Sequence, residues 1–195
     1  MSSQLVNLFR IVEWTDFKKV SRPAPGPGQF ASAASTHAGF SVASVQFDPV
    51  PGSKPVTYRL KDAVTMTIAL RSNECWVASW VFSRPQSDQN ALLNHERGHY
   101  KIVALLARDY FWEIMTLKQN EYATAQEGLN DFRQIGTGYT SSIIQSVHTA
   151  YDDPGQVGHD PVNHANEQAI WDGLFADAVT QKTPLLDGLR AAGVL

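Results

Sequence analysis

Leu92-Leu93-Asn94-His95-Glu96-Arg97-Gly98-His99-Tyr100-Lys101-Ile102-Val103-Ala104-Leu105-Leu106 is the stretch that decides how this chain folds. Leu92, His95, Glu96, His99, Ile102, Val103, Leu106 and Tyr110 follow three- and four-residue steps along one side of a helix, and Leu93, Tyr100, Ala104, Ala107, Phe111 and Ile114 supply a second apolar side. A helix apolar nearly all round belongs in the centre of a domain. Ser87 or Asp88 is placed to cap it, and the pattern runs to about Leu117.

Inside this helix lies His95-Glu96-Arg97-Gly98-His99, an H-E-x-x-H sequence. Residues four apart on a helix are offset by about 40 degrees, so both imidazoles project from one face and can reach a single ion. Glu96 is rotated by about 100 degrees and suits a base beside the ion better than a ligand. Chance is the competing explanation for the pentapeptide, and its place mid-helix on an apolar face argues against it. Gly98 costs about 1 kcal/mol relative to Ala within a helix, which asks for a close neighbour such as a strand backbone, or for tight helix-to-sheet packing.

Around the helix the chain changes character. The first half reads as strands at Leu5–Trp14, Gly39–Phe47, Val56–Leu60, Val64–Leu70 and Cys75–Phe82, separated by turn-prone residues. Pro23-Ala24-Pro25-Gly26-Pro27-Gly28 reads as a surface loop. After Pro85 the pattern is helical, with further helices expected at Gln119–Phe132, Thr140–Tyr151 and Ala165–Gln181, then a short tail. Asp152 to Asn163 is a loop rich in Asp, Pro and Gly.

With 195 residues, 43% hydrophobic and 18% charged, the composition fits one globular domain over residues 1–195. A net charge of −3 with scattered basic residues argues against nucleic acid, and no apolar run approaches the length of a membrane span. The lone Cys75 rules out an internal disulfide and a thiolate zinc knuckle, so a metal must be held by His, Asp or Glu; Cys75 itself reads as a buried small hydrophobe. Arg10, Glu13, Asp16, Lys18 and Lys19 interrupt the N-terminal stretch, so no signal peptide is visible in this chain.

A catalytic zinc usually takes three protein ligands and keeps a fourth position for water. His37 reads as a surface residue and His148 as a partly buried, hydrogen-bonded one. His159, His164 and Glu167 stay open as third ligands, the last by similarity to the carboxylate ligand of thermolysin-like zincins.

The chain also resembles a bacterial family of uncharacterised zinc-dependent proteases with an H-E-x-x-H helix and a later Tyr-Asp…His-Gly-x-x-Gln…Trp motif. Glu13-Trp14-Thr15-Asp16-Phe17-Lys18 is similar to its opening, the small residues Ala31 to Thr36 follow, and Cys75-Trp76-Val77 is similar to a Ser-Trp-Val strand. Leu93 to Ile102 matches the metal helix; Tyr151-Asp152, His164-Ala165-Asn166-Glu167-Gln168 and Trp171 resemble the late motif. The resemblance implies His164 as third ligand, although Ala165 replaces the family's Gly and the Tyr151-to-His164 stretch is longer, with His159 inside it. It also implies an α+β, zincin-like fold, with a mainly antiparallel N-terminal sheet packed on a central H-E-x-x-H helix and C-terminal helices after it. Export from the cell is a further implication.

The expected activity is a zinc metallopeptidase acting on peptide or protein substrates, with His95, His99 and His164 on Zn2+, Glu96 as general base and Tyr151 stabilising the oxyanion. Asp152 and Asp153 read as orienting carboxylates or turn formers. The Cys75–Phe82 strand is expected to offer an edge to an extended peptide. Two alternatives use the same residues: a binding or scaffold protein with a structural or vestigial metal, and a hydrolase of non-peptide amides or esters. Substrate sequence and oligomeric state are not encoded in any recognisable motif.

Overall fold

Pro85 sets the start of the central helix, because its ring fixes an extended entry and its missing N–H costs nothing there. From it α1 runs over Gln86–Thr116, 31 residues or about 46 Å of helix, with Asp88 in the first turn complementing the helix dipole. No side chain caps it, so neither Ser87 nor Asp88 has the capping part expected of it. Its middle is buried from Leu92 through Tyr110 except along one stripe, Asn94, Arg97 and Lys101, which is partly exposed. A computed structural model describes residues 3–24, 33–43, 45–139 and 141–195 of the chain. Pro25 to Gly28 of the anticipated loop, and Ala31 and Ser32, lie outside the described residues.

The strands are shorter than the sequence pattern suggests: β1 Gln4–Val6, β2 Lys18–Val20, β3 Ala34–Ser35, β4 Ala38–Val42, β5 Phe47–Pro49, β6 Tyr58–Leu60, β7 Thr65–Leu70 and β8 Trp76–Ala78. They pair as two three-stranded sheets, ordered β1-β7-β4 and β2-β8-β3, and a β5-β6 ribbon. The expected mainly antiparallel sheet is replaced by mixed ones, since β1 runs parallel to β7 and β2 parallel to β8. The fold is α+β. Leu5–Trp14 leaves the sheet after Val6, where Asn7 takes a positive φ of 66° and donates from its side chain to the Ile68 carbonyl at 3.1 Å. Cys75–Phe82 ends as a strand at Ala78 and winds into a 3-10 turn over Ser79–Ser83.

The remaining helices are α2 Ala125–Thr137, α3 Ser141–Tyr151, α4 Ala165–Gln181 and α5 Leu185–Ala191. α2 starts later than Gln119 because Thr124 and Glu127 form a reciprocal capping box, while Leu117–Gln119 closes α1 as a 3-10 turn. The expected tail is a helix. Leu185 and Leu189, one turn apart, are 1% and 0% exposed, and the Leu185 N–H donates to Asp109 Oδ2 at 2.6 Å. Arg108 donates to the Ala178 and Thr183 carbonyls at 2.6 and 2.8 Å, so the buried Arg108–Asp109 pair of α1 fastens the α4–α5 connection. α1 touches α2, α3, α4, α5, β3, β4 and β7, which makes it the axle of the domain. Among the described residues no helix is long and apolar enough to cross a membrane.

Candidate metal centre

His95, Glu96 and His99 sit on α1 at 1%, 3% and 9% exposure, facing the end of α3 and the loop that follows it. α3 ends at Tyr151, and Asp152 continues its last turn, its N–H donating to the His148 carbonyl at 2.9 Å. Asp152 Oδ1 lies 3.3 Å from His95 Nε2 and 3.3 Å from His99 Nε2, and the two Nε2 atoms are 3.2 Å apart. These three atoms form a nearly equilateral triangle. Asp152 Oδ1 is buried with no hydrogen-bond partner, while the two Nε2 atoms lie within hydrogen-bond distance of each other.

That spacing tests the fit to zinc. A tetrahedron has edges about 1.6 times its centre-to-corner distance, so zinc bonds of about 2.0–2.1 Å separate ligand atoms by about 3.3–3.4 Å. Two imidazoles and one carboxylate are also a donor set that catalytic zinc takes. The residues fit.

His159, on the loop between α3 and α4, places Nδ1 3.8 Å from Asp152 Oδ1, with 59% of its side chain exposed. With His95 and Asp152 it belongs to a group whose ligand atoms lie within 4.8 Å of one another. His164 stands outside this cluster. It precedes α4, and its Nδ1 is 2.7 Å from the Gln156 carbonyl, so its ring ties down the loop. Glu167, in the first turn of α4, is also outside the cluster. Where the resemblance implies His164 beside the two imidazoles, the structure places Asp152 Oδ1. The missed signal is a spacing: His148 and Asp152 are four apart, as His95 and His99 are, so one face of α3 and its extension meets one face of α1.

Glu96 opens onto a cleft of about 690 Å³ bordered by β3, β4, α3 and the His159 loop. Thr36, between β3 and β4, donates through Oγ1 to Glu96 Oε2 at 2.7 Å, which fixes the carboxylate and leaves Oε1 without a hydrogen bond among the described residues. His37, half exposed, lines the same cleft beside Thr36. Cys75 is fully buried behind it, accepting from the His37 N–H at 3.3 Å, and burial pushes its thiol up.

Tyr151 is placed differently from its expected part in catalysis. It is fully buried, stacks on the His95 ring at 4.7 Å and 11°, and donates its hydroxyl to Gln168 Oε1 at 2.9 Å. It does not line the cleft. Its ring instead explains Gly98: a Cβ there would lie 2.1 Å from the Tyr151 hydroxyl oxygen. The close neighbour is a tyrosine rather than a strand. Trp171, at 4.9 Å from the Tyr151 ring, is likewise core.

The β8 strand is not an edge, because β2 and β3 flank it. The strands that border the cleft are β3 and β4, each the last in the order of its sheet.

Burial depresses His95 more than Asp152 restores it. For His99 burial also lowers the pKa, but Asp152 and Glu96 outweigh it and the net shift is upward. Burial would raise Asp152; the two imidazoles held against its carboxylate reverse this and hold it well below the carboxylate range. His148, whose Nδ1 is 2.9 Å from His99 Nδ1, is pushed down to about 4 by burial and by the charge on His99.

No protein-family model, no curated protein and no solved structure matches this chain.

Proposed function

We propose that the chain is a zinc-dependent metallopeptidase with a zincin-like fold, in which His95, His99 and Asp152 hold the ion. The observation that carries this reading is the triangle of two Nε2 atoms and one Oδ1 at 3.2–3.3 Å, beside a buried carboxylate on the wall of a cleft. Zinc bound there would polarise a substrate carbonyl and lower the pKa of a bound water. Glu96, steadied by Thr36, has one oxygen free to take a proton from an attacking water and to hand it to the leaving amine. Asp152 brings one negative charge to the ligand set, unlike three histidines, so the ion keeps less net charge than the sequence pattern implied. Tyr151 supports the site from behind by backing the His95 ring.

Peptide-bond hydrolysis is tested with Glu96→Gln. The variant is expected to bind zinc as the wild type does and to lose cleavage of a peptide substrate. A fully zinc-loaded wild type that cleaves nothing across a broad peptide library overturns the peptidase reading.

The place of His159 favours one second reading, a structural metal in a scaffold protein. Its ring is the remaining donor of the cluster, and its engagement would close the fourth position. His159→Ala separates the two: a closed structural site loses much of its zinc affinity, whereas an open catalytic site keeps it. A non-peptide amide or ester hydrolase shares every residue of the first reading and is distinguished by substrate screening.

A further inference from the structure

We propose that His148 is a positioning residue for the metal centre: its Nδ1 accepts the Nδ1–H of His99 and so holds His99 in the tautomer whose Nε2 lone pair faces His95 and Asp152. This rests on the reading that the site binds metal.

His99 Nε2 converges with His95 Nε2 and Asp152 Oδ1, so as a ligand it must be unprotonated. A neutral imidazole then carries its proton on Nδ1. That nitrogen is 2.9 Å from His148 Nδ1, a distance at which one ring must donate and the other accept. His99 is the donor, so His148 Nδ1 holds a lone pair and His148 carries its own proton on Nε2. His148 Nε2 has no hydrogen bond among the described residues, and the ring lines the cleft, so no described residue opposes this arrangement.

Two contrasts strengthen the assignment. His95 Nδ1 is buried with no hydrogen-bond partner, so His99 is the one H-E-x-x-H imidazole given such a partner among the described residues. Metal-bound histidines commonly donate to carboxylates, but Asp152 and Glu96 already bring two negative charges to this pocket. A neutral imidazole orients His99 without adding a third. α3 delivers both groups together, since His148 and Asp152 stand one turn apart.

The test compares zinc affinity, by competition with a chromophoric chelator, for wild type, His148→Phe and His148→Asn. Phe fills the space of the ring but accepts no hydrogen bond, and its affinity is expected to fall about 10- to 100-fold. Asn presents a carbonyl oxygen near the position of Nδ1 and is expected to recover most of the loss. Nitrogen NMR of the zinc-loaded, histidine-labelled wild type is expected to show His99 protonated on Nδ1 and His148 on Nε2. Phe binding zinc as tightly as wild type, or His148 protonated on Nδ1, overturns this inference alone. A wild type that takes up no zinc overturns it together with the metallopeptidase reading. Circular dichroism of the Phe and Asn proteins separates loss of affinity from loss of fold.

Discussion

Gly98→Ala should damage a helix that any propensity scale says it improves. In an unhindered helix interior the change stabilises by about 1 kcal/mol. Here the new methyl would stand 2.1 Å from the Tyr151 hydroxyl oxygen and 2.5 Å from the ring carbon that bears it. The ring cannot swing into solvent: Tyr151 is fully buried, stacked on His95 at 4.7 Å and packed edge-on to Trp171 at 4.9 Å. Overpacking of this kind costs about 1–3 kcal/mol. Displacing the hydroxyl also leaves buried Gln168 without its donor, adding about 1–3 kcal/mol. Set against the propensity gain, the net loss is about 3 kcal/mol, or roughly 6–12 °C in Tm for a domain of this size. Thermal melts of the metal-free proteins, followed by circular dichroism, measure it. Repeating the substitution in a Tyr151→Leu background should remove most of the penalty, because the two residues are in contact. An unchanged or raised Tm for Gly98→Ala in the wild-type background refutes the packing argument.

Asp152→Ala should lower zinc affinity far more than His164→Ala, which should leave it near wild type; chelator competition decides, and the reverse order would restore His164 as ligand. Thr36→Val removes the hydrogen bond that fixes Glu96, and kcat should fall about 10- to 100-fold, equivalent to roughly 1.5–3 kcal/mol, with zinc content unchanged. Equal kcat would show that the carboxylate needs no such anchor. The metal-free protein should lose stability as the pH falls below the unfolded histidine pKa. Because His148 is depressed to about 4 in the fold, the unfolded chain binds a proton that the native state refuses between about 6.5 and 4. The contribution is present above that window and reaches a loss of up to about 3 kcal/mol below it. Urea melts of wild type and His148→Asn across that range should converge at high pH in their pH slope and separate at low pH.

The helical half of this fold is written plainly in the chain, and the reason is physical. Ala165–Gln181 is found at the expected bounds and α3 within one residue, because helix periodicity is local and repeats over several turns. The sheets were harder to read. β2 and β3 are only three and two residues long and owe their conformation to β8, which lies more than forty positions away. α5 was hidden because the feature that anchors it, Asp109 at the Leu185 N–H, belongs to another helix. At the site the same division holds. His95, Glu96 and His99 are local pattern, whereas Asp152 comes close only through the crossing of α3 over α1. Pro154-Gly155 directly after Asp152-Asp153 makes the pair resemble ordinary turn formers, and Asp153 does take that part, accepting from the Gly155 N–H at 2.7 Å. Gly98 asked for a neighbour, and only the packed structure names Tyr151.

Thr36 and His37 are the two residues between β3, which belongs to the β2-β8-β3 sheet, and β4, which belongs to the β1-β7-β4 sheet. The Arg71 N–H donates to the His37 carbonyl at 2.8 Å, and the His37 N–H meets Cys75 Sγ at 3.3 Å, so the β7–β8 link clasps the same corner. Two sheets therefore share a single elbow, and the Thr36 hydroxyl at that elbow holds Glu96. A slip of one sheet over the other would move the Thr36 hydroxyl and, with it, the carboxylate that it holds. The packing of the β-rich half is thus tied, through one hydroxyl, to the orientation of one buried carboxylate.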